Sequence, residues 1–174
     1  MATLRPLTSA DAMLLKQLRL TALQDTPAAF GSTFAREASF TDAQWQEKAA
    51  AWSNGTTGIC HLALEADGTP CGIAAGYVPA DQPDNVFLVS MWVAQSARRQ
   101  GIGRRLVDLV EAWGRQIGAA TVSLHVTEGN TAAEALYRRM GFTPTGERGP
   151  HQAHPQEIVY VMAKSLTSVL SSAQ

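Results

Sequence analysis

The sequence predicts an α/β fold in which helices cover the faces of a mixed sheet. Helix-like and strand-like segments alternate in the second half of the chain, whereas hairpin signals dominate the middle. The length of 174 residues is typical of a single domain. Hydrophobic residues make up 45% and charged residues 17% of the chain. This balance indicates a globular protein rather than a disordered or membrane-spanning one.

The first third of the chain predicts one strand and two helices. Residues 3–7 predict a short edge strand, because the proline within it cannot donate to a central ladder. A helix follows, capped by Thr8 or Ser9 and running to about Gln24. After a loop, a second helix begins near Thr41 and carries apolar side chains on one stripe at helical spacing.

The remainder of the chain predicts six strands and two helices. The strand-like runs are 59–64, 71–78, 86–93, 121–126, 142–147 and 157–163, and the first two are joined by a hairpin signal. A strong helix is expected from about Gly101 to Gln116, since its apolar residues follow the 3.6-residue period. A further helix is expected over 131–140. Gly118 and Gly141 are expected to close these helices as C-caps.

The net charge and the absence of targeting patterns disfavour several classes of function. The net charge of −1 and the isoelectric point near 6.4 disfavour a surface adapted to nucleic acid or anionic lipid. The start of the chain lacks the pattern of a secretory signal, and no stretch is apolar enough to span a membrane. We therefore expect a cytoplasmic protein that acts on neither nucleic acid nor a membrane.

The cysteines and histidines predict no metal site. Cys60 and Cys71 form no CxxC pair and are expected to be small buried hydrophobic residues without a disulfide. The histidines show no zinc-site spacing supported by cysteines; they are His61, His125, His151 and His154.

The densest chemical signal is a turn between a predicted strand and the start of a helix. Gly101 and Gly103 allow the backbone to approach a ligand closely there. Amides at a helix start lack intrahelical partners, and the helix dipole adds positive potential, so the turn predicts a phosphate site. Four arginines surround it without an acidic residue before Asp108; they are Arg98, Arg99, Arg104 and Arg105.

Two nucleotide motifs fail at this turn and a third fits. The dinucleotide motif GxGxxG fails at Leu106, and a P-loop lacks its lysine. The turn instead reads RxxGxG, and residues 130–142 then read NxxAxxLYxxxGF. With these two motifs the chain resembles the GNAT superfamily, the acyl-CoA-dependent N-acetyltransferases.

This resemblance implies a fold and a reaction. The fold would be a mixed, mostly antiparallel sheet of six or seven strands, split at the acetyl-CoA site and flanked by about four helices. We expect one domain over 1–174, with its specific motifs in 86–142 and a flexible tail after about residue 165. The reaction would be direct transfer of acetyl from acetyl-CoA to a primary amine in a ternary complex, without a metal.

The resemblance also implies the roles of individual residues. The turn amides would hold the CoA pyrophosphate, and the strand before the turn would hold the pantetheine arm. The Met91 amide would stabilise the oxyanion, and Tyr137 would protonate the leaving thiolate. The expected cofactor-binding residues are Met91, Trp92, Val93, Arg98, Arg99, Gln100, Gly101, Ile102, Gly103, Arg104, Asn130, Ala133 and Tyr137.

The general base stays open at this point. Some family members carry a glutamate on the strand before the turn, where this chain has Phe87. Ribosomal-protein N-terminal acetyltransferases carry a glutamate on the later strand, at the position of His125. An imidazole could accept the ammonium proton near neutral pH. Glu128 and a chain of waters are the alternatives.

The acceptor and the assembly also stay open. We expect a small-molecule amine, with a protein N-terminus or lysine as the alternative. A different class of function is a non-catalytic acyl-CoA-binding regulatory module. A homodimer would be in keeping with the family, but no segment requires one.

Overall fold

The computed structural model describes residues 2–167, and the tail expected after about residue 165 lies outside this range from residue 168 onward. In this part of the chain, seven strands form one sheet in the order β1-β2-β3-β4-β5-β7-β6. They are β1 (Thr3–Pro6), β2 (Gly58–Leu64), β3 (Pro70–Tyr77), β4 (Asn85–Val93), β5 (Thr121–Thr127), β6 (Thr143–Pro150) and β7 (Ile158–Ser165). Every neighbouring pair is antiparallel except β4 and β5, which are parallel. The predicted mixed, mostly antiparallel sheet is confirmed.

Between residues 2 and 167, five α-helices accompany the sheet: α1 (Ala12–Asp25), α2 (Phe34–Ala38), α3 (Asp42–Ala51), α4 (Ile102–Gln116) and α5 (Thr131–Arg139). The expectation of about four helices misses α2. This single-turn helix is too short to show a period, and Thr33 caps it by accepting a hydrogen bond from the Arg36 amide at 3.2 Å. Within residues 2–167, no helix combines the length and apolar character needed to cross a bilayer.

Local capping contacts fix the ends of the helices. The Thr8 amide and hydroxyl both donate to Asp11, at 2.8 and 2.7 Å, in a short 3₁₀ turn that leads into α1. Arg5 adds two 2.8 Å hydrogen bonds, which hold the pKa of the Asp11 carboxyl well below its usual range. Gly118 and Gly141 have φ of 80° and 90°, so the two predicted C-caps are confirmed.

The sheet buries a separate apolar layer on each face. Alternate residues of β2 and β3 enter opposite layers, because successive strand side chains point to opposite faces. The layer under α4 and α5 includes Val86, Leu106, Val110, Trp113, Val122 and Leu124. The layer under α1 and α3 includes Leu15, Leu18, Trp45, Leu62 and Ile73. Cys60 and Cys71 are buried free thiols, as expected.

The centre of the sheet opens between its two parallel strands. β4 pairs with β5 only from Asn85 to Leu88, and the remaining residues of β4 have no partner on β5. The register of β4 with β3 also shifts: Val89 lies opposite Ala75 and Trp92 opposite Ile73. Two residues of β4 therefore face one residue of β3, which is a β-bulge. The predicted split of the sheet is confirmed.

Candidate active site

A cleft of ≈ 640 Å³ occupies the gap between β4 and β5. Its walls are the open edges of these strands, the turn before α4 and one face of α5. Every residue to which the sequence analysis assigns cofactor binding lines this cleft except Gln100. The Gln100 side chain instead donates to the Ser96 carbonyl at 3.4 Å. The structure therefore brings the two sequence motifs together around one space.

The turn before α4 presents a row of free amides. Arg99 and Gly101 adopt left-handed backbone conformations, with φ of 66° and 76°. Among the described residues, no acceptor takes the backbone N–H groups of residues 99–104. These donors lie at the positive end of the α4 dipole. The arrangement can bind phosphate oxygens.

Gly103 allows α4 to lie close against β4. A Cβ at this position would lie 3.0 Å from the methyl carbon of Met91. A larger residue would therefore crowd the end of the Met91 side chain, which would have to move within the cleft. Gly101, by contrast, has open space around it and is required for its positive φ.

Arg98 and Trp92 join the turn to the end of α1. The Arg98 guanidinium donates to the Val93 carbonyl at 2.9 Å and to Asp25 at 2.7 Å. The Trp92 indole donates to the same carboxylate oxygen at 2.9 Å. The Trp92 hydrogen bond, with smaller contributions from Thr26 and Arg98, lowers the pKa of Asp25. Both residues line the cleft, and these hydrogen bonds hold their side chains in place.

The other arginines near the turn differ in how far they are engaged. Arg105 donates to the Ala2 carbonyl at 3.2 Å, and Arg104 lies 3.8 Å from Asp108 across an exposed helical turn. Arg104, Arg99 and Arg139 line the cleft with exposed side chains. These three can add positive charge around the free amides.

Asn130 and Tyr137 come from α5. The Asn130 side chain accepts a hydrogen bond from the Ala133 amide at 3.2 Å, so it caps the helix at the cleft wall. Tyr137 is buried and packs edge-to-face on Phe142, with ring centroids 5.7 Å apart. Burial raises the pKa of the Tyr137 phenol, which keeps the hydroxyl protonated at neutral pH. A protonated phenol can donate to a thiolate that leaves within reach.

The two candidate bases lie in different surroundings. His125 lines the cleft, and its ring meets Phe87 edge-on at 4.8 Å. Partial burial lowers the pKa of His125, so the imidazole is neutral at pH 7. Glu128 lies outside the cleft lining and forms an exposed ion pair with Arg148 at 2.9 Å. Of these two residues, His125 is the one that lines the cleft.

Sequence reasoning missed several residues of the cleft. Arg139 and Leu136 follow Ala132 along one face of α5, so helical spacing could have identified them. Thr26 and Ala29 come from the distant end of α1 and the turn after it, and no local pattern marks them.

Two long-range contacts bring the turn over residues 27–29 to the cleft. The Thr127 hydroxyl and the His151 imidazole both bond the Ala28 carbonyl, at 2.7 and 3.1 Å. The other nitrogen of His151 accepts from the Ala153 and His154 amides. Nε2 must therefore carry the proton that reaches Ala28. Within the described part of the chain, no group of three or more His, Cys, Asp or Glu side chains could hold a metal ion.

Comparison with known proteins identifies the same family that the two sequence motifs resemble. The model of the acetyltransferase (GNAT) family matches residues 20–142. An L-2,4-diaminobutyric acid acetyltransferase from Halomonas elongata is 32% identical over 81 residues, which cover 47% of this chain and 42% of that protein. The chain thus matches less than half the length of this relative.

Two solved structures share the fold over nearly the whole chain. An acetyltransferase of the GNAT family from Streptococcus pneumoniae superimposes with a TM-score of 0.79 at 21% identity, covering 96% of this chain and 100% of that one. A putative acetyltransferase from Salmonella typhimurium, solved with its cofactor acetyl-CoA, gives a TM-score of 0.77 at 18% identity, covering 99% and 98% of the two chains. At these identities the likeness establishes the architecture.

Proposed function

Because the chain belongs to the acetyltransferase (GNAT) family, we propose that it transfers the acetyl group of acetyl-CoA to the amine of a small molecule. The observation that carries the proposal is the cleft between the separated parallel strands, with free turn amides at one wall and a protonated tyrosine at another. A phosphate-bearing thioester matches both features.

The residues of the cleft fit acetyl-CoA in two ways. The free amides of residues 99–104, with the exposed side chains of Arg99, Arg104 and Arg139, suit the pyrophosphate. The open edge of β4 suits a pantetheine arm, because its unpaired backbone groups can bond the arm as a neighbouring strand would. Bound there, acetyl-CoA would supply an activated acyl group.

The proposed reaction is direct attack by the amine. The neutral amine nitrogen bonds to the thioester carbon, and the carbonyl oxygen takes up negative charge beside the Met91 N–H. The C–S bond then breaks, the Tyr137 hydroxyl protonates the thiolate, and the proton of the new ammonium passes to His125 directly or through water. Holding both reactants in one cleft removes much of the entropic barrier.

Burial of the thiols supports the direct route over an acetyl-cysteine intermediate. Burial raises the pKa of Cys60, and burial with the nearby Glu65 charge raises that of Cys71 to about 11. Neither group supplies a thiolate near neutral pH. Cys60 and Cys71 also lie outside the cleft lining.

The choice of a small-molecule acceptor rests on the relative named for acting on diaminobutyric acid. A protein N-terminus or lysine, and a non-catalytic acyl-CoA-binding module, are the competing outcomes. The cytoplasmic location, the single domain over 1–174, the lack of nucleic-acid binding and the homodimer stay predictions.

The experiment that tests the proposal measures CoA release from acetyl-CoA with a thiol reagent. A panel of small amines and of peptides with free N-termini or lysines serves as acceptors, and a reaction without acceptor is the blank. Release above the blank with a small amine supports the proposal, and release with peptides alone selects the protein-directed alternative. Acetyl-CoA binding without release from any acceptor would favour the binding module, and absence of binding would overturn the whole assignment.

A further inference from the structure

A buried ion pair lies beneath the bulge of β4, between α1 and α2. Arg19 is 5% and Glu37 1% exposed. The Arg19 guanidinium donates to both oxygens of Glu37, one of them at 3.0 Å, and lies over the Phe30 ring at 5.0 Å from its centroid. Burial alone would raise the pKa of Glu37, but the hydrogen bonds and charge of Arg19 hold it below its usual value. Both groups are therefore charged, and their orientation is fixed.

The pair leaves one nitrogen of Arg19 to reach the bulge. This Nη1 atom donates to the Ser90 hydroxyl at 2.7 Å. Ser90 has a φ of 57°, in the left-handed region that a serine seldom adopts. Such a conformation persists only where neighbouring contacts hold it. Within the described structure, the Arg19 hydrogen bond is the side-chain contact recorded for that hydroxyl.

The conformation of Ser90 sets the direction of the amide that follows it. Ser90 and Met91 together lie opposite Ala74 in the bulge, and Met91 lines the cleft. The Met91 N–H belongs to the peptide unit that rotates with the backbone angles of Ser90. A change at Ser90 towards an ordinary extended conformation would therefore turn this N–H to another direction.

We propose that Arg19, oriented by Glu37, is a positioning residue that holds the Ser90 bulge so that the Met91 N–H points at the thioester oxygen. The inference rests on the proposed function, in which this N–H stabilises the oxyanion. Stability alone gives a weak reason for the pair, since buried ion pairs are often replaced by apolar side chains without loss. The hydrogen bond to Ser90 gives another reason for the pair, because it holds a strained residue of the cleft in its conformation.

The first test removes the contact from each side. Ser90→Ala deletes the acceptor, and the double variant Arg19→Met/Glu37→Leu deletes the donor without leaving a buried charge unpaired. Each is expected to lower kcat by about tenfold or more, because a small misplacement of a catalytic group is costly. The Kd for CoA, measured by calorimetry, should stay within about twofold, since the turn amides are untouched. Combining both changes should lower kcat no further than either alone.

The matched control is a second buried carboxylate far from the cleft. Glu111 on α4 accepts two 2.8 Å hydrogen bonds from Lys164 and one of 2.9 Å from Arg115, and is 2% exposed. Glu111→Gln should lower the melting temperature and leave kcat unchanged. If the Ser90 and Arg19 variants likewise lose only thermal stability and keep kcat, the inference is wrong.

A spectroscopic measurement separates this inference from the proposed function. In the wild-type protein, the Met91 amide resonance should differ between the CoA and acetyl-CoA complexes, because only acetyl-CoA offers the carbonyl. Ser90→Ala should remove at least about half of that difference. An undiminished difference in the variant, or none in the wild type, overturns the inference. Failure of the proposed function instead shows as wild-type protein that releases no CoA with any amine.

Discussion

The two sides of the cleft are built by different means. The side formed by residues 98–104 and by α5 uses mainly the backbone amides of one turn and side chains spaced along one helix, and Arg98 also bonds Asp25 of α1. The side formed by the turn over residues 27–29 and by the bulge of β4 depends on contacts between distant segments. Thr127 reaches Ala28 across 99 residues, and Arg19 reaches Ser90 across 71. The first side is therefore set largely by local geometry, whereas the second is assembled only by the complete fold.

This difference predicts which binding or kinetic constant each kind of substitution should change. Changes on the first side should alter cofactor affinity or the fate of the thiolate. Changes to the long-range contacts should alter turnover or the KM for the amine and leave the affinity for the cofactor intact. Four predictions, from the largest expected effect to the smallest, test that division.

The largest effect is expected for Tyr137→Phe. Phenylalanine keeps the edge contact with Phe142 but cannot protonate the thiolate, so kcat should fall by at least about tenfold. Steady-state kinetics measure kcat, and calorimetry should find a nearly unchanged CoA affinity. Tyr77→Phe, an exposed tyrosine outside the cleft, is the matched control and should retain full turnover. Unchanged kcat in Tyr137→Phe would exclude Tyr137 as the acid.

The second prediction concerns the pH dependence of kcat/KM. The pKa of His125 is lowered, so the imidazole is neutral at pH 7 and becomes protonated only as the pH falls below about its ordinary value near 6.5. If His125 is the base, activity falls through that lowered pKa on the acid side. His125→Gln should lower kcat severalfold and abolish this acid limb. Glu128→Gln should preserve it. An acid limb that survives in His125→Gln would exclude His125 as the group that produces it.

The third prediction separates the two sides of the cleft directly. Thr127→Val removes the hydrogen bond to the Ala28 carbonyl, and a lost bond of this kind corresponds to about a fivefold change in an equilibrium. We expect the KM for the amine to rise by about that factor while the KM for acetyl-CoA stays constant. Thr121→Val, on the same strand but outside the cleft, is the control. A similar rise in both KM values would contradict the separation of the cleft into two sides.

The smallest effect on activity is expected for Asp11→Ala. Loss of the hydrogen bonds from Thr8 should cost about 1 kcal/mol of the free energy of unfolding. Because Arg5 holds the pKa of Asp11 below its unfolded value of 3.8, this stabilisation is complete above that pH and is lost as the pH falls. Thermal unfolding at pH 7 and at pH 3 measures the difference between wild type and variant, which should shrink at pH 3. A change in kcat would contradict the separation from the cleft.

The same division explains what the sequence could and could not predict. The turn at Gly101 was predictable from its glycines at a helix start. Asn130 and Tyr137 were predictable from the resemblance of residues 130–142 to the family motif, which is a short stretch of local sequence. α2 was missed, since five residues show no period.

The contacts that hold the second side of the cleft were not predictable from the sequence, for a physical reason. Arg19 has the sequence appearance of an ordinary polar residue on an amphipathic helix. Its role depends on Glu37, 18 residues away, and on the bulge at Ser90. These partners come into contact only in the folded sheet, and the local sequence around Arg19 does not predict them.

The short parallel pairing of β4 with β5 has a consequence for the cohesion of the molecule. Four residue pairs form the backbone connection between the β1–β4 part of the sheet and the β5–β7 part. A ligand lying in the opening beyond them would act as a removable length of strand that joins the two parts. Each tenfold increase of such a ligand above its Kd would then add about 1.4 kcal/mol to the free energy of unfolding. The concentration of the acyl donor would thus influence the melting temperature of the protein as well as its rate of turnover.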